Sequence, residues 1–339
     1  MLDTLRNSLA GLGSYPATAG LPELRAEIAH QWSRAYDGTI TPEQTAITQG
    51  CNQAFCAAIS TLAGAGDEMI LPCPWYFNHK MWLDMAGITT VPLSSGADLI
   101  PTAAAAEALI TPKTKAIVLV SPNNPGGVEY PAQTLTDFRD LARRRGLVLI
   151  VDETYRDFDS RTGAPHALFS NPDWADTLIH LYSFSKAYRL TGHRVGALIA
   201  SEARLSEVEK FLDTVTICPN QIGQRAALWG MQNLQDWLAG ERLEILDRRA
   251  AIEENFAPLA AKGWTLKGCG AYFAYVQHPF EIPSNELAKN LVRDAGVLVL
   301  PATMFMPDEI KGGANHLRIA FANIDRAGVG ELIARLAAL

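Results

Sequence analysis

A chain of 339 residues is too long for one simple hydrophobic core, so it predicts one large and one small domain. The net charge of −7 offers no basic surface, which argues against nucleic acid or an anionic membrane as a partner. The five cysteines contain no Cys-x-x-Cys pair and are odd in number, so they indicate neither a metal site nor a disulfide framework. Without a transmembrane run or a secretory leader, a reducing, cytoplasmic location is the expectation.

The N-terminal segment has helical patterns. Leu2, Leu5 and Leu9 are spaced as on one face of a short helix. The Leu21-Pro22 pair then begins a longer helix, which ends at Gly38.

Strand-like and helix-like stretches alternate along the middle of the chain. Such alternation predicts a mostly parallel sheet with helices on both faces, which is an α/β fold of three layers. The predicted strands of this sheet are the apolar runs at 46–48, 68–71, 89–92, 115–120, 147–151, 177–182 and 195–199.

The pattern changes in the last third of the chain. Helices are predicted between Glu202 and Ala261, followed by strands with helices between them, at 264–266, 271–276, 297–300 and 316–321. This arrangement predicts a smaller α+β domain. We therefore divide the chain into a large domain over residues 39–241 and a small domain over residues 242–339. The N-terminal segment, residues 1–38, is predicted to belong with the small domain.

The stretch from Ser183 to Gly196, SFSKAYRLTGHRVG, has the composition of a catalytic site. It follows a predicted buried strand, and active sites of open α/β sheets lie at strand ends. Lys186 becomes an amine nucleophile if burial beside a cation lowers its pKa, and Ser185 and Arg194 suit a phosphate. Together these residues indicate pyridoxal phosphate, a phosphorylated carbonyl cofactor held as a Schiff base. The alternative for any one of them is an ordinary surface turn.

The pattern Ser-Phe-Ser-Lys-x-x-x-Leu-x-Gly-x-Arg-Val-Gly resembles the lysine signature of the class I and II aminotransferases, which are fold-type I pyridoxal phosphate enzymes. Further motifs recur in the family's order from about Tyr15 onward, so the resemblance covers nearly the whole chain. It implies the three-layer fold of these transferases, pyridoxal 5'-phosphate (PLP) as the cofactor, and a homodimer with shared active sites.

Asp152 and Tyr155 follow the end of a predicted strand. A carboxylate there is suited to pair with a protonated pyridine nitrogen, although Asp at a strand end is also a common helix N-cap. The family's Asp-x-x-Tyr motif implies that Tyr155 binds the ring oxygen of the cofactor. The resemblance assigns Asn124, in the turn SPNNPGG, to the same oxygen, while Gly126 stands where the family often has threonine.

Gly50-Cys51-Asn52 opens a predicted helix, whose first N–H groups and dipole favour a bound phosphate. A plain loop glycine is the alternative for Gly50. The resemblance implies that the amides of Cys51 and Asn52 hold the cofactor phosphate. It implies that three polar residues complete this phosphate site, namely Ser183, Ser185 and Arg194.

Three further assignments come from the resemblance. Pro74-Trp75-Tyr76 matches the family's Pro-x-aromatic motif, so Tyr76 is expected to stack on the pyridine ring, with Trp75 as the nearby alternative. Arg318 is a charge in an apolar run and must be paired or bind a ligand. It matches the arginine that binds the substrate α-carboxylate. Tyr15, in Tyr-Pro-x-x-x-Gly, matches the tyrosine that reaches the phosphate of the partner subunit.

The implied activity is transfer of an amino group from an L-amino acid to a 2-oxo acid, with Lys186 as the Schiff-base lysine and then the general base. Arg318 and Asn124 would bind the substrate. Members that act on dicarboxylic substrates often carry a second arginine before a Ser-Asn-Pro-like turn, and the matching stretch 213–220 has none. We therefore expect a neutral, aliphatic or aromatic amino donor.

Other functions on the same fold stay open. A PLP-dependent C–S β-lyase shares the fold and the lysine, and a histidinol-phosphate aminotransferase-like enzyme is a shorter relative. A non-catalytic regulator would normally add a DNA-binding domain and a basic patch, and the sequence predicts neither.

The start of the chain departs from the family. Members usually have a few dozen residues before the Tyr-Pro-x-x-x-Gly motif, and these form part of the small domain and a lid over the pocket. This chain starts close to the motif, so we expect a naturally short or truncated form with a less enclosed pocket.

Overall fold

The computed structural model describes residues 13–307, 310 and 313–339. The helical pattern predicted at Leu2, Leu5 and Leu9 lies outside the described residues. None of the helices in the described part of the chain is long and apolar enough to span a lipid bilayer.

The larger of two sheets has seven strands in the order β1-β7-β6-β5-β4-β2-β3. Neighbouring strands are parallel except at β7, which runs antiparallel to both β1 and β6. The strands are β1 (Thr45–Thr48), β2 (Glu68–Cys73), β3 (Thr89–Ser94), β4 (Thr114–Val120), β5 (Val148–Asp152), β6 (Leu178–Ser183) and β7 (Gly196–Ile199). Strands β5 and β6 are buried along their whole length, which explains their continuous apolar sequences.

The smaller sheet has four antiparallel strands in the order β10-β11-β9-β8. They are β8 (Thr265–Gly270), β9 (Phe273–Gln277), β10 (Leu300–Pro301) and β11 (His316–Ala320). The strand predicted at 297–300 is wrong in its bounds. Only Leu300 and Pro301 pair with β11, and Leu298 is 80% exposed.

The α-helices pack against these sheets. They are α1 (Pro22–Ala35), α2 (Cys51–Ser60), α3 (Phe77–Met85), α4 (Ala103–Glu107), α5 (Ala132–Arg145), α6 (Phe184–Ala187), α7 (Glu202–Thr216), α8 (Gln221–Asn233), α9 (Gln235–Glu254), α10 (Ala257–Ala260), α11 (Ser284–Asn290) and α12 (Arg326–Ala337). Helix α5 shows how local sequence sets an end, because Gly146 takes a left-handed φ of 65° directly after three arginines in the last turn.

Two apolar cores lie on opposite faces of the large sheet. One contains buried side chains of α1, α5 and α8, and the other contains those of α2, α3 and α7. The predicted three-layer α/β fold with a smaller α+β unit is therefore confirmed. A third core joins the small sheet to α9 and α12.

The domain boundaries remain a proposal. We propose that residues 39–241 form the large domain and that residues 242–339, together with the N-terminal segment 1–38, form the small one. Within that segment, Leu24 and Ile28 of helix α1 lie in the same core as residues of α5 and α8.

Candidate active site

A cavity of about 420 Å³ lies at the carboxyl ends of β4, β5 and β6, a usual ligand position in open α/β sheets. Its volume is within the usual range for a small-molecule site. The cavity is lined by all the predicted site residues except Tyr15: Cys51, Asn52, Tyr76, Asn124, Asp152, Tyr155, Ser183, Ser185, Lys186, Arg194 and Arg318.

Strand register brings the phosphate-site residues together. Gly196 at the start of β7 pairs with both Thr48 and Ser183, so the loops beyond these strands meet at one sheet edge. Gly50 caps α2 with a φ of 87°, a conformation that suits glycine. A Cβ on Gly196 would lie only 2.7 Å from the Cys51 nitrogen, so the helix start and β7 pack backbone against backbone.

The polar groups around this helix start form a cradle for an anion. Arg194 donates from Nη1 to the Thr191 carbonyl at 2.9 Å and to Ser185 Oγ at 3.4 Å. The Ser183 hydroxyl accepts from the Ser185 N–H at 3.3 Å. Together with the N-terminal N–H groups of the ten-residue helix α2, this cradle fits a phosphate.

Lys186 shares the cavity with two cations, Arg318 and Arg194. Burial, followed by the charges of Arg318 and Arg194, lowers the pKa of its amine. The Nζ atom is 5.9 Å from the centre of the Tyr155 ring. A lowered pKa leaves more of the amine unprotonated, which is the form that attacks a carbonyl.

Asp152 is held by a residue that the sequence analysis missed. His79 Nε2 lies 3.3 Å from Asp152 Oδ2, and Oδ1 accepts from the Thr154 N–H at 3.0 Å. Burial would raise the pKa of Asp152, but the hydrogen bonds and charge of these neighbours outweigh it and lower the pKa. The Phe55 ring stacks on His79 at 3.9 Å. The only sequence signal for His79 was its position three residues after Tyr76, on the same helix face.

The two aromatic candidates after β2 have different surroundings. Trp75 is buried in the core that contains α2 and α3, whereas Tyr76 lines the cavity with its hydroxyl 3.5 Å from Asn52 Oδ1. Tyr155 also lines the cavity, and burial raises the pKa of its hydroxyl well above the ordinary value. Tyr155 therefore keeps its proton and can donate a hydrogen bond.

Arg318 reaches the cavity from the small sheet. Its Nη1 donates to Asn124 Oδ1 at 2.9 Å, and its guanidinium lies 4.6 Å from the Phe273 ring centre and 5.0 Å from that of Phe305. The buried Nε has no hydrogen-bond partner among the described residues. An arginine with unused donors in a cavity is suited to a carboxylate.

Tyr15 does not line the cavity of its own chain, and its side chain is 78% exposed. Within the described residues, no group of three or more His, Cys, Asp or Glu side chains is placed to hold a metal ion.

A comparison with known protein families identifies the family of this chain. The sequence model of the family "Aminotransferase class I and II" matches residues 4–336. The chain belongs to this family.

Individual relatives of this aminotransferase differ in their named substrates. It is 29% identical to the aromatic aminotransferase ISS1 of Arabidopsis thaliana over 96% of this chain and 81% of that protein. It is 28% identical to a probable aspartate/prephenate aminotransferase of Thermus aquaticus over 94% and 82%. A Thermus thermophilus aspartate aminotransferase mutant structure superposes with a TM-score of 0.89 at 26% identity, over 99% of this chain and 91% of that one.

As a class I and II aminotransferase, the protein is a PLP-dependent transferase whose substrates are amino and oxo acids. The cavity residues fit that cofactor, because the cradle at α2 suits its phosphate and Asp152 and Lys186 line the same space.

The two arginines near Lys186 make a testable contribution to its titration. Replacing Arg318 with glutamine removes one positive charge, so the protonated amine is repelled less and its pKa rises. In the cofactor-free protein, acylation of Lys186 should therefore begin at higher pH, which mass spectrometry of the labelled peptide would measure. Arg143→Gln, an exposed substitution remote from the cavity, should leave that pH profile unchanged. An unchanged profile in R318Q would contradict the proposed repulsion.

Proposed function

We propose that this aminotransferase transfers the amino group of a neutral, aliphatic or aromatic L-amino acid to a 2-oxo acid, with PLP carried on Lys186 as a Schiff base. The observation that carries the proposal is the meeting of Lys186, Asp152 and Arg318 around one cavity, with unused donors on Arg318. When bound, the cofactor supplies an electron sink for the electrons of the substrate α-carbon.

The chain supplies the binding groups. In this proposal Cys51, Asn52, Ser183, Ser185 and Arg194 hold the phosphate, and Tyr76 covers one face of the ring. Asp152 is ionised and faces the ring nitrogen, where an opposite charge is stabilised by about 4 kcal/mol at an effective dielectric constant of about 20. Tyr155 and Asn124 bind the ring oxygen.

Arg318 and Lys186 act on the substrate. Arg318 binds the α-carboxylate through donors that Asn124 does not occupy. This contact places the α-carbon near Lys186, whose lowered pKa suits it to take up and return the α-proton.

The preference for a neutral donor rests on the cations of the cavity. Lys186, Arg194 and Arg318 are the cationic residues that line it among the described residues, and each already has a role. Arg189 and Arg248 line the adjoining cleft, but they are paired with Glu241 and Glu244. A side-chain carboxylate would therefore enter the cavity without its own cation on this chain, which is unfavourable.

A homodimer is part of this proposal. Ser14 accepts a hydrogen bond from Gln221, which places the exposed Tyr15 near the start of α8. Val215, Ile217 and Ile222 expose apolar side chains in the same stretch of chain. A second copy would cover this surface and receive Tyr15 at its phosphate.

Absorbance of the purified, cofactor-loaded protein tests the function directly. We expect a visible band from the lysine-bound cofactor, and leucine or phenylalanine without an acceptor should bleach it far faster than aspartate. Adding 2-oxoglutarate or pyruvate should restore the band. Fastest bleaching by aspartate would overturn the donor assignment. Release of ammonia and pyruvate from a cysteine conjugate without any acceptor would indicate the β-lyase instead.

A further inference from the structure

The turn after β5 has two faces. Asp152, Thr154 and Tyr155 line the cavity, whereas Glu153, Arg156 and Asp157 do not. The second set points into a buried polar cluster on the opposite side of the turn, and no part of the proposed reaction uses it.

Glu153 is the centre of this cluster and is 2% exposed. Its Oε2 is bound by His180 Nε2 at 2.7 Å and by the Tyr36 hydroxyl. Its Oε1 lies 3.3 Å from His166 Nε2. The other ring nitrogen of His166 accepts the Leu168 N–H, so the proton of a neutral His166 is on the nitrogen that faces Glu153. Donors from three segments therefore converge on one carboxylate.

Burial would raise the pKa of Glu153, but the charges and hydrogen bonds of His166 and His180 outweigh burial and hold the pKa well below the ordinary value. An ionised carboxylate without solvent is stable only with such partners, and losing one leaves a buried charge uncompensated. The cluster is therefore expected to enforce one arrangement of the turn.

Arg156 and Asp157 attach the far end of the same turn. The Arg156 guanidinium lies 4.0 Å from the ring centre of Trp32 and 4.7 Å from that of Tyr36. Asp157 Oδ2 accepts from the Tyr182 hydroxyl at 2.6 Å. Thus helix α1, Tyr36 directly after it, and strand β6 hold both ends of the segment that carries the cavity residues.

We propose that Glu153 is a positioning residue for the reaction: it anchors the β5 turn so that Asp152 faces the ring nitrogen and Tyr155 the ring oxygen of the cofactor. Arg156 has the same role at the other end of the turn. The proposal rests on the proposed function, because it assumes that Asp152 and Tyr155 contact PLP.

The titration of the lysine-bound cofactor reports this positioning. A hydrogen bond from Tyr155 to the ring oxygen, and a ring nitrogen kept protonated by Asp152, both disfavour the protonated imine and so lower its pKa. If Glu153→Gln loosens the turn, these contacts weaken and the imine is protonated at higher pH. The absorbance midpoint, which is the pH at which half of the lysine-bound cofactor is protonated, therefore moves to higher pH. Loss of one hydrogen bond to a charged group corresponds to about one pH unit. The affinity for PLP, measured by titrating the cofactor-free protein, should fall about tenfold for the same reason.

A core substitution separates positioning from general stability. Phe138 on α5 is fully buried in the apolar core that also contains Tyr36 and Tyr182, and it is not among the residues that line the cavity. Phe138→Leu should lower the melting temperature and leave the absorbance midpoint and PLP affinity as in the wild type.

Tyr36→Phe removes a single oxygen from the cluster and keeps the inference testable if E153Q does not fold. It should move the midpoint in the same direction by a smaller amount. Folded E153Q or Y36F with the wild-type midpoint and PLP affinity would overturn the positioning role. Absence of the visible band in the wild type would instead count against the proposed function.

Discussion

Replacing Lys186 with alanine should lower turnover of the preferred amino donor by at least about 10⁴-fold, since the proposed nucleophile and the proposed general base are the same residue and both are lost. The phosphate cradle and Asp152 remain, so the variant should still bind PLP, but without a covalent link. Steady-state kinetics with a leucine or phenylalanine donor would measure the loss. Lys210→Ala, which removes a lysine paired with Glu207 on the surface of α7, should keep wild-type activity.

Borohydride reduction gives the same prediction a chemical readout. After reduction and proteolysis, the wild-type protein should carry the cofactor mass on the peptide that contains Lys186. The K186A variant should carry it on no peptide. Cofactor mass on another lysine of the wild type would refute the assignment.

Substitution of Asp152 by asparagine should lower kcat/KM by about a thousandfold. The substitution keeps an acceptor for the Thr154 N–H but removes the negative charge that we propose to face the ring nitrogen. A pair of charges about 4 Å apart at an effective dielectric constant of about 20 is worth about 4 kcal/mol, and each 1.36 kcal/mol of barrier is about tenfold in rate.

The pH dependence of Asp152 gives a second measurement. The folded protein holds the pKa of Asp152 below its ordinary value through His79 and Thr154, so the carboxylate is charged at neutral pH. Stability from this group is present above the ordinary carboxyl pKa and is lost as the pH falls through the lowered value. The free energy of unfolding of D152N should lose this dependence on acid pH.

The matched control for the kinetic prediction is Asp173→Asn. It changes an exposed carboxylate paired with Arg143 and should leave kcat/KM unchanged. Turnover by D152N within tenfold of the wild type would contradict the role of the charge.

Local sequence predicted most of the elements that carry the site. Each strand of the large sheet was predicted close to its observed bounds, and the signal was clearest for β5 and β6, because strands buried on both faces need continuous apolar runs. The stretch around Lys186 was recognisable because its hydroxyls, lysine and arginine lie within one short segment. Such signals depend only on neighbours along the chain.

Contacts between distant segments were harder to predict. The Arg318–Asn124 hydrogen bond joins residues 194 positions apart, and the sequence analysis did not predict it, although the resemblance to a family implied that both residues bind the substrate. His79 has no motif of its own, and its role follows from its contact with Asp152 at the end of β5. The strand predicted at 297–300 overlaps the observed β10 only at Leu300, because pairing with β11 begins at that residue.

By itself, the sequence determined the three-layer fold, the succession of strands and helices along the chain, and the family of the enzyme. Periodicity and closely spaced motifs are properties of short segments, so they can be recognised without the tertiary structure. Only the tertiary structure decided which side chains contact Asp152 and Glu153. His79 beneath the carboxylate, and Tyr36 and His180 around Glu153, come from separate helices and strands, and the crossovers of the sheet bring them within hydrogen-bonding distance. No local pattern encodes such a contact, since its stability depends on the burial that the whole fold creates.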